Sequence, residues 1–254
     1  MLGRGYEGAM TPDAPTPERD PGSTPGAADV TPTGTNAVVV YSDPRCPWAY
    51  VAIRRLLAAV ERRGVGSELD LDHRWFPLDD DAMPSDGEAL DRKLQPLTEL
   101  EPDAGWRRWA GSGEAFPSSS ELAAAWIQGA KRESPAASVA LDLAIRTALF
   151  SDGLDISDEV VLADIAAGVA DLHVDTVRSE VASGRPAAEL ERHADLAQSD
   201  LVPASPTIVL ADGTSWTNPG IDFHAEDGVP VVDADEPAVH DEIIDTFLAQ
   251  RHYD

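Results

Sequence analysis

Five consecutive apolar residues, Ala37-Val38-Val39-Val40-Tyr41, run into a turn, Ser42-Asp43-Pro44-Arg45, and then into a helical pattern opened by Cys46-Pro47-Trp48. No other stretch constrains the fold as tightly. A short β-branched run bounded by turn residues reads as a buried strand. The helical pattern continues through Val51, Ile53, Leu56, Leu57 and Val60. Pro47 suits a first helical position, where its missing N–H costs nothing, and Gly64 and Gly66 stop the helix. From Glu68 to Phe76 the chain alternates through Leu69, Leu71, His73 and Trp75, which reads as a second strand. Strand, helix and strand form a β-α-β unit, expected to close as a parallel pair with a right-handed crossover.

Residues 1–36 are rich in Pro, Gly, Thr and Asp and nearly free of large apolar residues. Such a segment buries too little surface to offset its ordering entropy, so a disordered tail is expected. Asp79-Asp80-Asp81 to Pro117 is polar, with a short helix expected near Gly87–Leu97. Helical signals then accumulate. Ser118 and Glu121 have capping-box spacing, Ser134-Pro135 and Ser157 open further helices, and 174–181 and 187–198 supply two more. Strand character returns at Pro206-Thr207-Ile208-Val209-Leu210. A hairpin signal, Asp212-Gly213, leads to a returning strand, Thr214-Ser215-Trp216-Thr217. A loop follows, and Glu236-Pro237 opens a last helix. The domains expected are 37–80 together with 199–254 as an α/β unit, and 81–198 as a helical insertion.

Charge excludes some functions. With 46 Asp and Glu against 19 Lys and Arg, the net charge is −27. A phosphate backbone or an anionic membrane surface would be repelled, so neither nucleic acid nor membrane is an expected partner. No run approaches the roughly 20 apolar residues of a membrane span. Lysine is nearly absent, with Lys93 and Lys131 the only two. That pattern suits a surface hydrated in high salt, with a codon bias that replaces Lys with Arg as the alternative reading. The six histidines show no metal-ligand spacing, and no resident cofactor is expected. Trp106 and Trp109, three apart, are read as a packing stripe. The tail lacks the apolar segment of a secretory signal, and a cytoplasmic protein is expected.

Chemistry is carried by the lone cysteine, Cys46. A single thiol makes no internal disulfide. Following a strand and opening a helix, it meets the partial positive charge and free N–H groups of a helix N-terminus. These favour a thiolate of depressed pKa, able to attack disulfides or electrophilic carbons. A small buried apolar residue is the alternative reading.

The run Asp43-x-x-Cys46-Pro47-Trp48-x-Tyr50, the segment Leu149-Phe150-x-x-Gly153-x-Asp155-Ile156-Ser157 and the order of elements resemble the DsbA-like branch of the thioredoxin superfamily. More narrowly they resemble its Frn-type members related to 2-hydroxychromene-2-carboxylate isomerases. The resemblance spans about residues 37–250. It implies a thioredoxin-like α/β fold with a large all-helical insertion, and Cys46 as the catalytic nucleophile. Pro47 and Trp48 would shape the approach to the sulfur. Ser205, Pro206 and Thr207 would hold the substrate beside it, with Ser205–Pro206 in the cis form.

One departure matters. Where redox members of that family carry a second cysteine, this chain has Ala49. Intramolecular resolution of a mixed disulfide is then impossible. Three readings stay open: a monothiol oxidoreductase resolved by an external small thiol acting as co-substrate, a thiol-dependent isomerase or kappa-type transferase, and an inactive binding module. The partner expected is a small thiol or disulfide substrate. A homodimer that brings two Cys46 thiols together also stays open.

Overall fold

The computed structural model describes residues 26–78, 87–107, 117 and 119–251. The expectations for Asp79-Asp80-Asp81, Trp109 and Ser118 lie outside these residues.

Strand β1 (Ala37–Ser42) is the centre of a four-stranded sheet ordered β2-β1-β3-β4. It pairs in parallel with β2 (Asp70–Trp75) and antiparallel with β3 (Thr207–Val209). Strand β3 pairs antiparallel with β4 (Ser215–Thr217) across the Asp212-Gly213 turn, where Asp212 Oδ1 accepts from Thr214 N at 2.8 Å. Both faces of β1 are covered, which explains its unbroken apolar run. Val38 and Val40 join one cluster with Ile208, Leu210, Ile243 and Phe247. Val39 and Tyr41 point the other way, to Val209, Leu196 and Val202. Burying each such side chain stabilises the fold by roughly 1.5–3 kcal/mol.

Short helix α1 (Ala27–Val30) precedes the sheet. Ordered structure therefore reaches back to residue 26, within the segment expected to be a tail. Val30 is buried against Val39 and Tyr41, and Arg74 donates to the carbonyls of Asp29 and Thr31 at 3.0 and 3.1 Å. A single apolar residue and one arginine suffice to anchor this strap, which the composition obscures.

Helix α2 (Pro47–Arg63) connects β1 to β2, with Cys46 as its N-cap and Pro47 at its first position. Gly64 ends it at φ 69°, the left-handed conformation that glycine adopts without a Cβ clash. Ile53, Leu56, Ala59 and Val60 face the sheet cluster, while Tyr50 and Val51 face the helical insertion. One helix thus joins both cores.

The insertion contains α3 (Gly87–Leu100), α4 (Glu121–Ala130), α5 (Pro135–Thr147), α6 (Glu159–Ala167), α7 (Val174–Ala182) and α8 (Arg185–Ala197). Ser134 caps α5 by accepting from Ala137 N at 3.0 Å. Helix α6 opens one residue later than expected, because Asp158 caps it through Val160 N. A π-helical turn, Ala148–Asp152, follows α5 and ends at Gly153, φ 69°. Trp106 packs edge-on against Tyr50 and Phe150, at centroid distances of 5.3 and 5.5 Å.

The region expected to be a loop before the last helix is a second, two-stranded sheet. Strands β5 (Ile221–Glu226) and β6 (Val229–Asp235) pair antiparallel across Asp227-Gly228. Five of the six residues of β5 are exposed, so its sequence lacks apolar alternation. Asp227-Gly228, the turn between the two strands, is a dipeptide that favours tight hairpins. Helix α9 (Val239–Arg251) closes the fold against α2. Among the described residues no helix is long and apolar enough to cross a membrane.

Candidate active site

The site is built where β1 ends. Cys46 is the N-cap of α2, and its carbonyl accepts from Tyr50 N at 3.2 Å. Across from it, the loop before β3 contains a cis Ser205–Pro206 peptide bond. Cys46 Sγ lies 3.3 Å from the Ser205 carbonyl oxygen, to which the thiol donates. The Ser205 hydroxyl accepts from Asp43 N at 3.0 Å. Strand end, helix mouth and distant loop therefore meet at one sulfur.

Asp43 organises the turn. It is fully buried, and its carboxylate accepts from Arg45 N at 2.7 Å, Ser120 Oγ at 2.9 Å and Leu78 N at 3.0 Å. Arg45 Nη2 lies 3.3 Å away as its ion-pair partner. A carboxylate taken out of water is tolerable only with this many donors and a cation.

The thiol itself departs from expectation. Cys46 is 3 % exposed, and burial pushes its pKa up from the ordinary thiol value. Hydrogen bonding from Ser205 and the Ala49 N–H, and the charge of Arg146, pull downward without prevailing. The expected depression by the helix N-terminus is thereby corrected. Desolvation penalises the thiolate more than the helix end stabilises it.

The other expected site residues separate into two groups. Pro47 opens α2 as expected. Trp48 stacks on Phe223 of β5 at 4.2 Å, with the rings 4° from parallel. Ser205 and Pro206 adjoin the sulfur. Thr207 is fully buried, and its hydroxyl donates to Ala204 O at 2.7 Å and lies 2.9 Å from Thr217 Oγ1. Its hydroxyl is committed to the fold, tying the Ser205–Pro206 loop to β4. Ala49 is fully buried at the third helical position, one turn from Cys46.

Sequence reasoning missed Arg146 and Asp142. Both lie on α5, four residues apart, with side chains 0 % and 1 % exposed. Arg146 donates to Asp142 Oδ2 at 2.9 Å, Ser42 Oγ at 2.8 Å and Asp43 O at 2.9 Å, with Cys46 O at 3.4 Å. Burial alone would raise Asp142, yet the Arg146 guanidinium holds it below the ordinary carboxylate value. The available signal was a pair of opposite charges inside the apolar stripe of Leu141 and Ile145. Behind Pro44, a cavity for about one water is lined by Ser42, His73, Gln128 and Asp142. Neither ring nitrogen of buried His73 makes a hydrogen bond, and Nδ1 lies 3.9 Å from Asp142 Oδ2. Among the described residues no group of three or more His, Cys, Asp or Glu could hold a metal ion.

Residues 37–227 match the family model described as the DSBA-like thioredoxin domain. No curated protein matches the chain by sequence. Among solved structures, the chain is similar to the cytosolic disulfide reductase DsbM from Pseudomonas aeruginosa, with 16 % identity and a TM-score of 0.57. That match covers 84 % of this chain and 99 % of DsbM. The same protein with GSH matches at 18 % identity with the same TM-score and coverage. Alpha-DsbA1 from Wolbachia pipientis matches at 14 % identity and a TM-score of 0.50, over 88 % of this chain and 96 % of that one.

Proposed function

Because the chain belongs to the DSBA-like thioredoxin domain family, we propose that it carries out thiol–disulfide exchange as a monothiol, with Cys46 as the nucleophile. One observation supports this above others: Cys46 occupies the N-cap position of α2, and its Sγ sits 3.3 Å from the carbonyl oxygen of Ser205 in the Ser205–Pro206 loop. A disulfide substrate lying along that loop would present its sulfur to Cys46.

The exchange has two steps. The Cys46 thiol first loses its proton, and the thiolate attacks one sulfur of a small-molecule disulfide. A Cys46–S–S bond forms, the substrate S–S bond breaks, and the leaving thiolate takes up a proton. A second small thiol, as its thiolate, then attacks the substrate-derived sulfur of the mixed disulfide; a new small-molecule S–S bond forms, the Cys46–S–S bond breaks, and the Cys46 thiolate leaves. Ala49 cannot perform that second attack, so the co-substrate must. The Ala49 N–H and Arg146 would stabilise the thiolate once formed. Trp48 and Phe223 border the approach. A lone thiol and a fold shared with a reductase named as cytosolic favour a reducing compartment, the cytoplasm.

The binding-module reading also has an observation in its favour, the 3 % exposure of Cys46. Glutathione disulfide separates the two. Exchange predicts one glutathionyl adduct on the native protein by intact mass, absent in Cys46→Ser and discharged by added glutathione. An adduct formed only in denaturant would instead establish an inert, covered thiol.

A further inference from the structure

We propose that Arg146 is the positioning residue for Cys46, clamping the turn that carries the sulfur and supplying the buried positive charge against which its thiolate forms. The inference rests on Cys46 as the working thiol.

The geometry is unusual for a residue remote in sequence. A buried guanidinium offers five donors in a fixed fork. Here the fork is divided between α5 and the Cys46 turn. One side pairs with Asp142, and the other reaches Ser42 Oγ and the carbonyls of Asp43 and Cys46. Those carbonyls belong to the turn that sets where Cys46 Sγ points. Gripping them at 2.9 and 3.4 Å fixes the turn against the insertion. The same contacts direct two carbonyl dipoles toward Arg146.

The charges close in a specific way. In the turn, Asp43 is paired with Arg45. On α5, Asp142 is paired with Arg146. His73 of β2 faces Asp142 at 3.9 Å, and its burial favours the neutral ring. With these pairs in place, a Cys46 thiolate adds one negative charge to the site. Arg146 on α5 and Lys93 on α3 are cations that act on it, and Asp43 opposes them. Asp142 therefore works as a brake. It offsets part of the charge that Arg146 offers to Cys46.

This arrangement predicts opposite signs for the two partners, which a purely structural pair would not give. Ionisation of Cys46 is read from the ultraviolet absorbance of the thiolate against pH, with Cys46→Ser as the blank. That readout needs no reagent to reach the sulfur. Arg146→Met raises the midpoint by about one pH unit or more, and Asp142→Asn lowers it by a similar amount. Arg146→Lys, which keeps the charge, holds the midpoint within about half a unit of the native value. If Arg146→Met does not fold, Asp142→Asn and Arg146→Lys decide. Shifts of the same sign in the Met and Asn variants, or no shift in either, would overturn the proposal. So would a raised or unmoved midpoint in Asp142→Asn. A native protein that titrates Cys46 yet forms no glutathionyl adduct would sink the exchange reading and leave this measurement standing.

Discussion

The backbone N–H of Asp43 donates to the hydroxyl of Ser205 at 3.0 Å, joining two residues that lie 162 positions apart. Through this bond the turn before Cys46 is held to the loop whose carbonyl faces the sulfur. Ser205→Ala would leave the fully buried Asp43 N–H without its acceptor. A loss of about 1–2 kcal/mol is expected, measured by urea unfolding. An unchanged unfolding midpoint would show that the loop does not depend on this bond.

Cys46 ionises late. Its alkylation by iodoacetamide should rise with pH through a midpoint above the ordinary thiol value of about 8.5, because burial raises its pKa. A raised folded pKa contributes stability that is complete below the unfolded value and lost as pH rises through the folded one. The native state should therefore weaken on the alkaline side, and Cys46→Ser should lessen that dependence. A midpoint below 7 would contradict the desolvated geometry.

Ala49→Cys restores a second thiol one helical turn from the first. Positions three apart at a helix start lie within the Cα separation of about 4.4–6.8 Å that disulfides span. The glutathionyl adduct of this variant should collapse to an internal disulfide and release glutathione. Persistence of the adduct would show that the buried Ala49 position cannot present a sulfur to Cys46.

Acid should destabilise the fold through its buried histidines. Burial lowers His240 to about 4, and His73 and His193 shift in the same direction for the same reason. A depressed folded pKa gives stability that is present above the unfolded value and lost as pH falls through the folded one. For His240 the window runs from 6.5 down to about 4, worth on the order of 3 kcal/mol. His240→Leu should flatten the fall in urea midpoint across that window. An identical slope in the variant would remove His240 from the account.

Gly220 stands at the base of the β5–β6 hairpin with φ 71°. A Cβ there would lie 2.3 Å from the carbonyl oxygen of Glu236. Gly220→Ala is expected to cost about 1–3 kcal/mol and to increase hydrogen exchange in β5 and β6. Native-like stability would mean that the hairpin base shifts without penalty.

Local signals determined a good part of this protein. The run from Ala37 to Trp48 sufficed for a buried strand, a turn and a cysteine at a helix mouth, and the alternation from Glu68 to Phe76 sufficed for the parallel return at β2. Each depends on residues within one or two turns of chain, through side-chain period, a proline at the first helical position and a glycine at the last. The Asp212-Gly213 hairpin was legible for the same reason. The β5–β6 sheet was not, because an exposed strand need not alternate.

Only the tertiary structure decided the state of the sulfur. A helix N-terminus is a local feature and argues for a low pKa. Desolvation depends instead on everything packed around the thiol, and here it prevails. The Ser205 carbonyl and Arg146 reach Cys46 from 159 and 100 positions away. No window of sequence contains both ends of such a contact. The chain's patterning placed the cysteine, and packing over long separations determined how readily it ionises.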